Sequence, residues 1–258
     1  MSTPPIQPLP VRELVSRTYQ DVYANREGLV RIGLPWLIGP FVLGVLGTAM
    51  EGIAVSLIAD LVSLLGLSAM AVAWHRHVIL GQPLAGPFAP VTLTVGRYLL
   101  FGLLVSVLAA VPGIVIVIIA GATGGIGEGG RGLLSTLVMG AAFLAAVIVF
   151  ARLQLVFPGI AIGDPAGLRG SWQLTSGNGT RLFGGILLTV LPVILAVVLA
   201  QLIAAAFDAV GAAKAGAFLA LLASSVGAWL QAPLVAAFLS FSYLWFRAAT
   251  GEPSPETA

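Results

Sequence analysis

Apolar residues fall along this chain in six long runs, at about residues 30–50, 53–74, 98–120, 132–151, 182–206 and 217–246. Each is close to or above the ~20 residues a helix needs to cross a bilayer. None alternates with the period of two that marks a barrel strand. The pattern predicts an all-α membrane protein, a six-helix transmembrane bundle. The run 217–246 is longer than a ~30 Å hydrocarbon core requires at 1.5 Å per residue. That helix must tilt, bend at Pro233 or project beyond the bilayer.

Two shorter stretches are amphipathic rather than apolar. Val11, Leu14, Val15, Thr18, Tyr19 and Val22 share one helical stripe, with Glu13–Arg17 and Arg17–Asp21 at i, i+4 on the opposite face. A second helix is expected to start at Asp164-Pro165, a capping residue before a proline, to run through Leu168, Trp172 and Thr175, and to stop at Gly177. Both are too polar to span and are expected to lie on the membrane as interfacial helices. They also resemble each other. Thr18-Tyr19-Gln20 followed by Asn25 parallels Ser171-Trp172-Gln173 followed by Asn178, and Trp74-His75-Arg76 leads to Gly81-Gln82-Pro83 as Trp245-Phe246-Arg247 leads to Gly251-Glu252-Pro253. The arrangement fits a degenerate duplication of an interfacial helix plus a membrane hairpin, although so few identities also arise by chance.

Composition and charge give the orientation. The 258 residues are 59% hydrophobic and 9% charged, with a mean hydropathy of +1.05. Soluble domains carry roughly 25% charged residues, so both a soluble fold and a disordered chain are excluded. Arg12, Arg17, Arg26, Arg31, Arg76, Arg97, Arg152, Arg169, Arg181 and Arg247 fall on one side of the predicted topology, against Arg131 and Lys214 on the other. The positive-inside rule then puts both termini, and both interfacial helices, in the cytoplasm. Sparse bases beside apolar runs are a topology signal rather than a nucleic-acid footprint. The preference for arginine over lysine, with abundant Ala, Gly and Val, suggests a GC-rich bacterial genome and hence the bacterial inner membrane. The polar first 30 residues do not read as a cleavable signal, so the first span is expected to be retained. Residues 1–9 and 251–258 are expected to be disordered, flanking a single membrane domain at 10–250. Cysteine is absent, which removes thiolate chemistry.

Candidate chemistry is thin. Asp60 is the one acidic residue inside a predicted span, at an insertion cost of about 2.5–3.5 kcal/mol for a central aspartate. It reads either as a proton or ion site or as an interior residue joining helices. Gln231 holds the same offset from Trp245 as Asp60 from Trp74, which suggests a polar position shared by both copies and makes the two a candidate intramembrane polar site. Trp74, Arg76, Trp245 and Arg247 are expected interfacial anchors, with rings in the aromatic belt and arginines snorkelling. His75 and His77, two apart on a helix, face different ways and make no metal site. Arg152, Arg169 and Arg181, with Trp172 and Asn178, are candidate contacts for an anionic lipid headgroup. Gly125-x-Gly127-x-x-Gly130 lacks the strand and helix that a dinucleotide fingerprint needs, and Asn178-Gly179-Thr180 lies on the cytoplasmic side. Prolines 35, 40, 112, 192 and 233 are expected to kink helices rather than build a transport path. No catalytic constellation, metal site or cofactor motif emerges.

The stretch from Arg152 through Phe157-Pro158 to Ser171-Trp172-Gln173-Leu174-Thr175-Ser176-Gly177-Asn178 resembles the membrane domain attached to some bacterial glycerophosphodiester phosphodiesterases. It is also similar to the stand-alone, YciC-like inner-membrane proteins. The motif covers about 40 residues, and the chain has no room for the catalytic barrel. The resemblance implies an inner-membrane protein tied to phospholipids and lends no enzymatic activity. The expected function is therefore that of a non-enzymatic membrane protein, lipid-associated (with anionic phospholipids in view) or acting as a scaffold for a membrane protein partner. A small proton-coupled transporter using Asp60 is the alternative.

Overall fold

The computed structural model describes residues 7–50, 53–86, 92–122, 131–164 and 167–251. Nine helices lie within them: α1 (Val11–Ala24), α2 (Arg26–Met50), α3 (Ile53–Leu80), α4 (Leu93–Ala122), α5 (Arg131–Leu153), α6 (Val156–Ile162), α7 (Gly167–Leu174), α8 (Gly179–Ala209) and α9 (Ala213–Ala249). The described residues contain no strand. Six segments, in α2, α3, α4, α5–α6, α8 and α9, are long and apolar enough to cross a membrane. The protein is an all-α, multi-pass bundle, as the hydrophobic pattern predicts. The helices overrun the apolar runs: α3 continues to Leu80 and α4 begins at Leu93, because capping and packing, not hydropathy, set helix ends.

One short helix was not expected. Proline at 158 offers no N–H to the carbonyl of Gln154, four residues back. The Phe157 N–H takes that carbonyl instead, at 3.1 Å. The chain therefore breaks just after Leu153 and resumes as α6, which ends at Gly163 in the left-handed region (φ +83°). Pro35, Pro40, Pro192 and Pro233 sit inside helices that continue through them. At 37 residues α9 is about 55 Å long, and it packs against α1 and α6 as well as the spans α2, α3 and α8. Part of its excess length is thus met by reaching the short helices at one end of the bundle.

The core is gathered at that end. Met70, Trp74 and Ile79 of α3 and Phe238, Leu239 and Tyr243 of α9 are among its largest fully buried side chains. The opposite ends of the same helices expose Leu57, Leu61, Phe218 and Leu222. Apolar side chains facing outward on spanning helices suit a lipid solvent. The α8–α9 hairpin closes on small residues: a Cβ at Gly216 would come within 2.5 Å of the Ala204 carbonyl oxygen, and one at Gly185 would strike the Phe238 ring.

The amphipathic stripe of α1 turns onto the bundle. Leu14 and Thr18 are buried, and Val11, Val15 and Val22 pack against the main core. The helix caps α8 and α9. Residues 7–9 depart from the expected disordered arm, since Leu9 is wholly buried and held by Asn178 at the start of α8. Residues 1–6 and 252–258, the glycine-rich motif at 125–130 and Pro165 lie outside the described residues.

Candidate functional site

The arginine-rich end of the bundle is bound together by polar side chains. Asp164, just past α6, accepts hydrogen bonds at Oδ2 from the Tyr243 hydroxyl and from Arg247, with which it forms an ion pair. Both donors lie on α9, one turn apart. In α3 the wholly buried His75 has Nδ1 2.7 Å from the Ser240 hydroxyl and Nε2 3.3 Å from the Tyr98 hydroxyl, joining α3 to α9 and α4. Arg76 donates from Nε to the Ala161 carbonyl (2.7 Å) and from a terminal nitrogen to Thr94 (3.1 Å). Trp74 donates its indole N–H to Asp21 of α1 at 3.0 Å. From α1, Tyr19 donates to the Thr189 carbonyl at 2.6 Å, and burial pushes its hydroxyl above the usual tyrosine pKa.

This placement corrects the reading of Trp74, Arg76 and Arg247 as interfacial anchors. Trp74 is fully buried and Arg76 half-buried, because α1 and α6 cover the helix ends that hydropathy leaves at a membrane boundary. Trp245 is half-buried and meets Phe246 edge to face at 5.1 Å between ring centroids.

The five candidate headgroup contacts divide. Arg152 lies over the Trp172 ring, 3.5 Å from its centroid, and donates to the Trp172 carbonyl (2.7 Å) and to Thr175 (3.2 Å). Ser171 returns a hydrogen bond to the Arg152 carbonyl at 2.7 Å. Arg152 and Trp172 thus staple α7 to α5. Asn178 is buried, accepting from the Leu9 N–H at 2.9 Å and donating to the Gln7 carbonyl at 3.0 Å. That use also removes it as a glycosylation acceptor. Arg169 is exposed on α7 with no partner among the described residues. Arg181 is exposed, 3.5 Å from the Leu9 carbonyl.

Asp60 and Gln231 do not meet through a hydrogen bond. Asp60 is exposed on α3 and Gln231 half-buried on α9, each without a polar partner among the described residues. The interior, helix-joining role considered for Asp60 is not what the fold gives it.

Sequence reasoning missed the cleft that Arg181 borders. Arg12 and Arg17 of α1 and Arg181 of α8 line an open hollow of about 890 Å3, together with Glu13, Ser16 and Gln20. The Arg17 guanidinium lies 4.5 Å above the Phe241 ring. Three arginines against one carboxylate leave the cleft cationic, and forked guanidinium donors suit phosphate oxygens. The signal for it was Arg12 and Arg17 on the polar face of α1, but only folding brings them beside Arg181, some 165 residues on. Among the described residues no three His, Asp or Glu side chains are grouped to hold a metal ion.

Fold and site together define a multi-pass helical membrane protein whose core and polar network sit at one end. No family model matches the chain, and no curated protein or solved structure matches it either.

Proposed function

We propose that this is a non-enzymatic protein of the bacterial inner membrane, with both termini cytoplasmic, that associates with anionic phospholipid through its arginine-lined cleft. The observation that carries the reading is the convergence of Arg12, Arg17 and Arg181 on one open hollow at the arginine-rich end. Positive-inside topology supports a cytoplasmic position for that end, where anionic headgroups are presented. The likeness of residues 152–178 to YciC-like proteins agrees with a phospholipid-linked role. A scaffold function toward a membrane protein partner uses the same surface, with lipid as the bound component.

Basic residues near an anionic leaflet contribute about 1 kcal/mol each. Arg12→Gln, Arg17→Gln and Arg181→Gln combined are therefore expected to weaken retention of anionic lipid about 100-fold. Native mass spectrometry of protein extracted gently from its own membranes reads this as loss of phosphatidylglycerol or cardiolipin adducts. Arg169→Gln, outside the cleft, is the control and should leave the adducts in place. Adducts that survive the triple substitution overturn the proposal.

A further inference from the structure

A second cavity, of about 380 Å3, lies among α3, α4, α9 and the α5–α6 junction, away from the basic cleft. Leu64, Leu103, Phe150 and Leu239 give it a largely apolar wall. Two wall residues are polar and more than nine-tenths buried: Ser68 and Gln154, each 7% exposed. Neither side chain has a hydrogen-bond partner among the described residues. Thr18, Ser106, Thr189 and Ser240 each donate to the carbonyl four residues back, whereas Ser68, like the buried Ser242 of α9, does not. Ser68 forgoes that bond beside an amide with unfilled donor and acceptor positions. Their polar atoms are not sealed off from the cavity they line, so both can donate a hydrogen bond to a ligand held there.

The cavity is prolonged outward. A hollow of about 430 Å3 runs between α4 and α5, lined by Ala109, Ala142, Ala146, Met139 and Phe143, and Phe150 borders both spaces. Small residues in a membrane bundle ordinarily let helices close together; here the space between them stays open. From Gln154 back to Met139 is 15 residues of sequence, about 22 Å of helix rise. One leaflet's share of the hydrocarbon core is about 15 Å. The track is long enough for an acyl chain, with its polar groups at one end only. That polar end lies two residues beyond Arg152, at the arginine-rich side, where a lipid's ester carbonyls meet its chains. An amide NH2 and a hydroxyl both donate, and an ester carbonyl only accepts.

We propose that this track is a binding site for one glycerophospholipid, an acyl chain lying between α4 and α5 and its ester carbonyl hydrogen-bonded by Gln154 and Ser68. Water satisfies the polar end but not the apolar length, whereas an acyl ester fits both. The site does not depend on the arginine cleft, which lies on α1 and α8.

The test uses the full chain in nanodiscs of phosphatidylethanolamine and phosphatidylglycerol, doped with a phosphatidylethanolamine carrying a diazirine on one acyl chain. Cross-links mapped by peptide mass spectrometry are expected to concentrate on residues 99–110 and 139–157, which line the track. Gly102 lines the cavity, and a Cβ there meets nothing nearer than the Phe157 ring at 3.9 Å. Gly102→Leu therefore fills the space without touching backbone, and should cut labelling of those peptides about tenfold at unchanged melting temperature. Ser68→Ala with Gln154→Leu should do the same, and the triple arginine variant should not. Labelling spread evenly over the exposed faces of α2 and α8, or unaltered by Gly102→Leu, overturns the site. Equal labelling by an ether-linked analogue, which lacks the carbonyls, overturns the role given to Gln154 and Ser68.

Discussion

Asp164, Tyr243 and Arg247 show what a chain with 22 formal charges does with one of them. The aspartate and arginine are 11% and 19% exposed, so removing one leaves the other's charge largely buried without its counter-ion. Asp164→Ala is expected to cost about 3 kcal/mol, read as a lower denaturation midpoint in detergent. Asp164→Leu with Arg247→Met should cost less than the single change, because no charge is left uncompensated. Trp74→Phe keeps the ring and loses the donor to Asp21; a hydrogen bond to a charged group is worth about 1.5–3 kcal/mol. The expected outcome is faster tryptic cleavage at Arg12 and Arg17 as α1 lifts. Asp60, exposed on α3 and without a polar partner among the described residues, should behave oppositely. Asp60→Leu is expected to ease insertion by about 3 kcal/mol in a glycosylation-mapping assay. At this scale the sequence was least legible. Trp74 and Arg247 sit where an apolar run meets polar residues, and hydropathy cannot say that α1 and Asp164 will cover them.

Among the elements, the six spans were readable because lipid imposes one rule on every residue: apolar outside, backbone satisfied within. The α5–α6 break was half readable. Pro158 marks it, but the missing N–H acts one turn upstream, at Gln154. The inward turn of α1 was not readable, since a stripe of Leu14, Val15 and Thr18 suits a lipid surface as well as a bundle. Close approach of α8 and α9 rests on glycines that a composition so rich in glycine hides. Gly216→Ala pushes a methyl against the Ala204 carbonyl oxygen, which is backbone and cannot swing aside. The expected loss is about 1–3 kcal/mol, seen as a lower melting temperature, whereas Gly140→Ala, with open space around it, should be neutral or better.

For the whole molecule, the duplicated sequence pattern has a counterpart in arrangement. An amphipathic helix precedes a membrane hairpin twice, as α1 before α2–α3 and α7 before α8–α9. The Asn25 and Asn178 carbonyls accept the N–H of Leu29 and Leu182 in the same way. Gly81 and Gly251 both follow their hairpins in the left-handed region, at φ +64° and +73°. The copies are used differently, for α1 packs on the second hairpin while α7 packs on α5 and α6. The basic cleft is a product of that asymmetry, since it forms where α1 meets α8, which is why it could not be read from one segment.

The pairing of α3 with α9 also sets a schedule. His75 waits for Ser240, and the helix end at Arg76 for the Tyr243–Arg247 turn that locks α6 beneath it. The ribosome must add about 170 residues between them, at roughly 5–20 residues per second. For about 10 to 35 seconds in every round of synthesis, a half-made bundle holds the histidine of α3 without its partner on α9. Whatever escorts this chain into the bilayer has to shelter α3 for that long.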